Sequence, residues 1–311
     1  MNSGVGFVFP GQGSQSVGMG KALYDACPDL KPIYAEASAV LGYDIAALCF
    51  TGPADTLNLT EHTQPALLVS SVAALRSLPG TITPMVVAGH SLGEYTALVA
   101  AGGLTFTDAV RIVQKRGRYM AEAVPAGTGS VAALLGLDAE TVKEACREAA
   151  TAGEVQAANF NSPGQVVIAG EKAAVERVIE IAKARGCKKA VPLPVSVPVH
   201  TPLMQKAADR LAADLAAIRW ADLRMPLINN AEAKPITKAA EIQASLVRQL
   251  PSSVLWEHSI RAMAAMGVKT FVEIGPGTVL TGLIKRIVPE AATLNVHDPK
   301  SLDATRAALG A

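Results

Sequence analysis

Residues 84–95 read Pro84-Met85-Val86-Val87-Ala88-Gly89-His90-Ser91-Leu92-Gly93-Glu94-Tyr95. The apolar run over 84–88 predicts a buried strand, and a helix is expected from near Glu94 to Ala101. Between them Gly89 to Gly93 spell G-x-S-x-G. A strand that turns sharply into a helix at a serine is the setting a nucleophile elbow demands. The flanking glycines permit a tight turn and close helix–strand packing, which leaves the Ser91 hydroxyl exposed at a helix N-terminus. Small-residue turns are common in Ala/Gly-rich chains, so the strand–turn–helix context, more than the pentapeptide, points to chemistry.

Apolar strand-like runs and helical patterns alternate along the rest of the chain, which predicts an α/β protein. Strands are expected at Val5–Phe9, 84–88 and Thr270–Ile274, and helices at 63–75, 94–101, 106–124, 202–217 and 253–266. The middle of the chain has a different order. It gives a strand over 130–137 and a helix over 139–150 that Asp138 could cap. A hairpin follows, 155–159 with 165–170, around Asn161-Ser162-Pro163-Gly164. Next come a helix over 173–184 ended by Gly186 and a last strand over 187–193. That β-α-β-β-α-β order is ferredoxin-like. It predicts a small subdomain, 127–197, inserted in a larger α/β body formed by 1–126 and 198–311. Both junctions, Val124-Pro125-Ala126-Gly127 and 192–198, are turn-rich as an insertion requires.

Composition narrows the class further. Half of the 311 residues are hydrophobic and 18% are charged, so a sizeable core is possible. No apolar run reaches the ~20 residues of a membrane span, so no membrane is expected. Val5–Phe9 is too short for a signal peptide's apolar region and lacks a basic leader. A net charge of +1 lacks the basic field of a dedicated nucleic-acid binder. Cys27, Cys49, Cys146 and Cys187 have no metal-ligand spacing and read as small core hydrophobes, so no metal site is expected. Scattered thiols point to a reducing cytoplasm.

A serine needs a base to take its proton. The histidines are His62, His90, His200, His258 and His297. His90 adjoins Ser91 on a tight turn, where neighbours usually point apart. His62 and His258 sit among polar residues at expected helix ends, and His297 lies in the C-terminal tail. His200 closes the apolar segment Val195-Ser196-Val197-Pro198-Val199-His200 and opens onto a helix, a good place for a base. Periodicity does not decide among them.

The motifs together resemble the malonyl-CoA:acyl-carrier-protein transacylases. Phe9-Pro10-Gly11-Gln12-Gly13-Ser14-Gln15 is similar to their N-terminal signature, and Gly89 to Tyr95 to their nucleophile motif. Arg116-Gly117-Arg118-Tyr119-Met120, the stretch Asn159 to Gln165, Val195 to His200, Val247-Arg248-Gln249-Leu250 and Glu273-Ile274-Gly275-Pro276-Gly277 follow in the family's order. The resemblance implies an α/β-hydrolase-like body with a ferredoxin-like subdomain. It implies Ser91 as nucleophile and His200 as base, with the Gln12 and Leu92 N–H groups as oxyanion hole. Arg116 would clamp the malonyl carboxylate with two parallel hydrogen bonds, a geometry that lysine lacks. Gln249 would lie beside His200, where a main-chain carbonyl replaces the usual triad carboxylate. Gln64, Asn159 and Asn161 resemble positions near the pocket, though turn and cap chemistry would explain them equally well. Arg116 itself would pass for a surface charge beside Lys115 and Arg118 without the resemblance.

The implied reaction is ping-pong transfer from malonyl-CoA to the phosphopantetheine thiol of an acidic, transiently bound acyl carrier protein. It needs no metal or redox cofactor, and a monomer is expected. Basic pairs that could receive the carrier are Lys188 with Lys189 and Lys285 with Arg286. The four residues ending at the base, Val197-Pro198-Val199-His200, match neither familiar pattern of acyl choice in related modular synthases. The alternatives are a polyketide-pathway acyltransferase, an α/β-hydrolase esterase with His297 in the late triad position, and an inactive carrier-docking module. An esterase for neutral esters would need no buried cation at Arg116.

Overall fold

The computed structural model describes residues 4–125, 127–193 and 197–310. The expected junctions at 124–127 and 192–198 therefore lie partly outside the described residues. Ten strands are found among the described residues: β1 (Val5–Phe9), β2 (Val86–Gly89), β3 (Gly129–Leu135), β4 (Val155–Ser162), β5 (Gln165–Glu171), β6 (Lys189–Pro192), β7 (Leu227–Ile228), β8 (Pro235–Ile236), β9 (Thr270–Ile274) and β10 (Ala292–Val296). They form two sheets.

The six-stranded sheet runs β10-β9-β1-β2-β7-β8 and is parallel except where β8 returns against β7. Its central strands are buried on both faces, which explains their unbroken apolar runs. Phe7, Phe9, Val87 and Val272 face one helical layer, built largely on the helices Thr60–Ser77 and Phe106–Glu122. Val8, Val86, Ala88 and Phe271 face the other, where Trp256, Ile260 and Leu280 pack. The alternation is the period of two that a strand imposes. Glu273, buried on β9, accepts N–H bonds from Leu280 and Thr281 and so caps the helix Val279–Ile287.

The four-stranded sheet runs β4-β5-β3-β6, antiparallel throughout, with the helices Ala139–Ala149 and Lys172–Ala184 enclosing a core of its own. Asp138 caps the first of these helices by accepting from the Thr141 N–H. The α/β class and the small antiparallel subdomain are thus those expected, and we propose 127–197 as its extent.

Several boundaries differ from expectation. β4 runs on through Asn159-Phe160-Asn161-Ser162, and only Pro163-Gly164 turns, with Gly164 at φ 72°. Two register shifts, at Ala157/Asn159 and Phe160/Ser162, bend the strand and re-aim its side chains. The helix expected from 253 starts at Trp256, because Val254 is claimed by the small sheet. Val254 donates to the Ala158 carbonyl and accepts from the Phe160 N–H, which fastens β4 to the large body. The helix expected over 202–217 divides into a 3-10 turn, Pro202–Met204, and the helix Gln205–Leu215. Cys49 and Cys146 are buried, which pushes both thiols up to about 12, and Cys27 and Cys187 are half-buried. Among the described residues no single helix is long and apolar enough to cross a membrane.

Candidate active site

The elbow forms where β2 enters the helix Gly93–Ala101. Ser91 sits at φ 50°, a left-handed conformation that an L-residue holds only under constraint. The constraint is visible. The Asn230 side chain accepts from the Ser91 N–H at 2.6 Å and donates to the Gly89 carbonyl at 2.7 Å. A Cβ on Gly89 would lie 1.9 Å from the Gly93 backbone, and one on Gly93 would lie 2.1 Å from the Phe9 carbonyl oxygen. Both glycines are therefore fixed by close approach of backbone to backbone.

His200 is the histidine that reaches the serine. Its Nε2 lies 2.8 Å from Ser91 Oγ. Its Nδ1 lies 3.0 Å from the Gln249 carbonyl and 3.1 Å from the Ser252 carbonyl. Carbonyl oxygens only accept, so Nδ1 carries the hydrogen and Nε2 is the free base. Gln249 ends the helix Ala239–Gln249, and a helix C-terminus favours a developing imidazolium. Burial first, and the Arg116 charge second, push the His200 imidazole down to about 3. The ring is neutral, as a base must be. His90 instead points to Asn161 Oδ1 at 2.9 Å and packs against Trp256. His258 is exposed and His62 packs edge-on against Tyr43. His297 pairs with Asp298 at 3.6 Å beside the cap of the last helix.

Arg116 is not a surface charge: it is 1% exposed. Its Nη1 donates to Gln64 Oε1 at 2.9 Å, and its Nη2 donates to Gln249 Oε1 at 3.0 Å and to Ser91 Oγ at 3.1 Å. Burial works against its charge, with Tyr95 and Glu94 opposing that effect. Gln64 also donates to the Met120 sulfur at 3.2 Å, which fixes its amide with the oxygen toward the guanidinium. Gln64 and Gln249 thus hold the arginine, and Ser91 Oγ accepts from Arg116 while donating to His200.

The N–H groups of Gln12 and Leu92 have no hydrogen-bond partner among the described residues, and both residues line the cavity over Ser91. Leu92 stands at the N-terminus of the helix Gly93–Ala101, where N–H groups carry partial positive charge. The cavity measures about 170 Å³ and is lined by Ser91, Arg116 and His200 of the large body and by Val131, Asn161 and Val167 of the small sheet. Asn159 lines it too, with its buried Oδ1 unpartnered. Among the described residues no group of three or more His, Cys, Asp or Glu side chains could hold a metal ion.

Two contributors escape a sequence reading. Asn230 follows a two-residue strand, too short for periodicity to mark its position. Glu94 is 1% exposed behind the elbow, where its Oε2 accepts from the Gln249 side-chain amide at 2.9 Å and the Asn230 N–H at 2.9 Å. Burial pushes its carboxyl up to about 7, against the opposing effect of those bonds and of Arg116. Glu94 falls inside the nucleophile motif, but the only local hint of a role is an acidic residue in the first turn of a largely apolar helix.

Residues 6–301 match the acyl transferase domain family. The chain is 52% identical over 300 residues to the malonyl CoA-acyl carrier protein transacylase of Salmonella typhimurium, covering 96% of this chain and 97% of that one. It superposes with a TM-score of 0.95 on the acyl carrier protein S-malonyltransferase of Vibrio cholerae, at 50% identity over 97% of this chain and 100% of that one. A malonyl-transacylase solved in complex with its type II PKS acyl-carrier protein gives a TM-score of 0.95 at 49% identity, covering 97% and 98% of the two chains.

Proposed function

We infer that this chain, which belongs to the acyl transferase domain family, carries malonyl from malonyl-CoA to the phosphopantetheine thiol of acyl carrier protein for fatty acid synthesis. The observation that carries the inference is the buried Arg116 guanidinium 3.1 Å from the nucleophilic oxygen, inside a cavity of about 170 Å³. A cation there suits a short acyl group that ends in a carboxylate. It has no use in an esterase for neutral esters, main-chain carbonyls stand behind His200 where a triad acid would, and His297 pairs with Asp298 and not with Ser91.

Ser91 Oγ attacks the thioester carbonyl carbon while its proton passes to His200 Nε2. The tetrahedral oxyanion takes N–H bonds from Gln12 and Leu92, each contributing about 3 kcal/mol. Collapse breaks the carbon–sulfur bond, and the departing CoA sulfur takes the proton from His200. In the second half the carrier thiol gives its proton to His200 and attacks the malonyl-Ser91 ester, and Ser91 leaves with that proton. Throughout, Arg116 holds the malonyl carboxylate, with Gln64 and Gln249 holding Arg116. Asn159 and Asn161 offer amides on the far wall, toward the thioester arm. Thioester exchange needs only a nucleophile, a base and oxyanion donors, so the reaction calls for no metal or redox cofactor. The chain is a monomer in this reading, and the isolated thiols suit the cytoplasm. The carrier is acidic and transient in this reading, and exposed Lys285 and Arg286 would receive it.

Intact-protein mass spectrometry after mixing with malonyl-CoA tests the proposal. A malonyl adduct should form on the wild type, be absent from Ser91→Ala, and discharge onto added carrier protein. His200→Ala should slow its formation by roughly a hundredfold to ten-thousandfold. An adduct that only water removes would make the chain a hydrolase.

A further inference from the structure

Gln249 touches Arg116, His200 and the main chain of Ser91. Its side-chain oxygen accepts from Arg116 Nη2, its Nε2 donates to the Ser91 carbonyl at 3.0 Å and to Glu94 Oε2, and its own carbonyl holds His200. An amide can lie either way round, and only one way serves Arg116, which can only donate. If the amide were reversed, two N–H donors would face a guanidinium. Gln249 needs something that decides the orientation.

The Ser91 carbonyl is an acceptor but a shared one, since it also takes the Glu94 N–H of the first helical turn at 3.1 Å. The second acceptor is Glu94 Oε2, which belongs to a side chain and takes the Gln249 amide and the Asn230 N–H together. Its position is set independently by the Asn230 N–H, and Asn230 in turn holds the elbow. No ion pair joins Glu94 to Arg116. The amide stands between them, so the guanidinium keeps a nearby acid without losing a donor edge to it. From the described contacts we propose that Glu94 is a positioning residue: it fixes the orientation of the Gln249 amide, and through it aims the Arg116 guanidinium at the carboxylate of the incoming acyl group. The proposal rests on the malonyl transfer inferred above. It adds that selectivity for a carboxylated acyl group depends on a buried side-chain acceptor that never touches substrate.

Three variants separate this role from general support of the fold. Glu94→Met keeps an unbranched buried side chain but offers no acceptor. Glu94→Gln can place its carbonyl oxygen at the Oε2 site and keep both hydrogen bonds. Glu94→Asp keeps the acid but withdraws it by one methylene. Rates of Ser91 loading from malonyl-CoA and from acetyl-CoA are measured on each, beside wild type, by time-resolved intact mass spectrometry.

The proposal expects the malonyl-to-acetyl ratio to fall roughly tenfold to a hundredfold in Glu94→Met, the size of a lost hydrogen bond to a charged group. Glu94→Gln should stay within about threefold of wild type by the same scale. Equal losses for both acyl groups in Glu94→Met would overturn it and leave Glu94 as a prop for the elbow. A Glu94→Gln ratio as low as that of Glu94→Met would also overturn it, since charge and not the acceptor would then matter. Should Glu94→Met fail to fold, Glu94→Asp decides: a lowered ratio supports the relay, and an unchanged one refutes it. Failure of the wild type to load malonyl at all would instead sink the transfer reaction itself.

Discussion

Replacing Arg116 by alanine puts the proposed clamp to its most direct test. A guanidinium has five N–H donors. Those to Gln64, Gln249 and Ser91 occupy one Nη1 hydrogen and both Nη2 hydrogens in the free site. One Nη1 hydrogen and the Nε hydrogen are left, and the Nη2 hydrogen on Ser91 Oγ is released as that oxygen attacks the thioester. Two bonds to the malonyl carboxylate are then available. Charge-assisted bonds are worth about 1.5–3 kcal/mol each, so their joint loss amounts to about 3–6 kcal/mol, or roughly a hundredfold to ten-thousandfold in rate. Because Arg116 is buried, salt should not erode the effect. Acetyl has no carboxylate and should lose little. The variant also leaves the Gln64 and Gln249 oxygens without their donor, at about 1–3 kcal/mol each in stability. Loading by malonyl-CoA and acetyl-CoA should therefore be compared within the one variant, well below its melting midpoint, by quenched-flow mass spectrometry. Equal losses for the two donors would refute the clamp and make Arg116 a structural cation. Arg116→Lys should fall between, since one ammonium cannot span both carboxylate oxygens.

Acidification gives a second test. The native His200 imidazole titrates near 3 while the unfolded chain takes its proton near 6.5, so stability contributed by the neutral ring is lost as pH falls through that window. Glu94, raised to about 7, has the opposite sign between 4.5 and 7 and partly masks the effect. Urea melts from pH 7 to 5 should show the wild type losing up to about 1.4 kcal/mol per pH unit more than His200→Gln, and parallel curves would contradict the depressed value. Asn230→Ala leaves the Ser91 N–H and Gly89 carbonyl unpaired and frees a strained turn, so loading should fall at least tenfold for every acyl donor alike; a malonyl-only loss would place Asn230 elsewhere in the mechanism. Reversing Lys285 and Arg286 to glutamate should raise KM for carrier protein roughly tenfold, more at low salt, and leave KM for malonyl-CoA unchanged. Equal shifts for both substrates would count against this docking face.

What the sequence made legible follows from how local each signal is. The elbow, β1 and β9 are short buried runs beside glycine turns, and they lie where the pattern places them. The two-residue strands β7 and β8 carry too few positions for any period to show. β10 reads Ala292-Thr293-Leu294-Asn295-Val296 on the edge of the large sheet, and its mixture of polar and apolar residues hides it among the surrounding loops.

The site divides in the same way. Ser91 declares itself by its turn, whereas the choice of His200 among the histidines needs the fold, which brings Nε2 to the serine from far along the chain. Nothing local distinguishes Arg116 from Lys115 and Arg118. Its burial comes from the helix Phe106–Glu122 turning that one position toward the helix Thr60–Ser77 and the elbow. Asn230 and Glu94 matter through contacts with main-chain atoms of distant residues, and such contacts leave no pattern in composition or spacing.

The short stretch from Gln249 to Val254 serves two structures at once. Its carbonyls at Gln249 and Ser252 hold the His200 ring, and two residues later Val254 is laced into the edge of β4. Subdomain and base therefore share an anchor. Anyone who exchanges the 127–197 segment for that of a relative, in order to change acyl preference, is also changing what pulls on the histidine's tether. A chimera with crossovers only at 127 and 197 would join a foreign strand edge to a native tether. Carrying 249–256 across with the subdomain keeps the pair matched, and makes that stretch part of the exchangeable unit although it lies outside it in sequence.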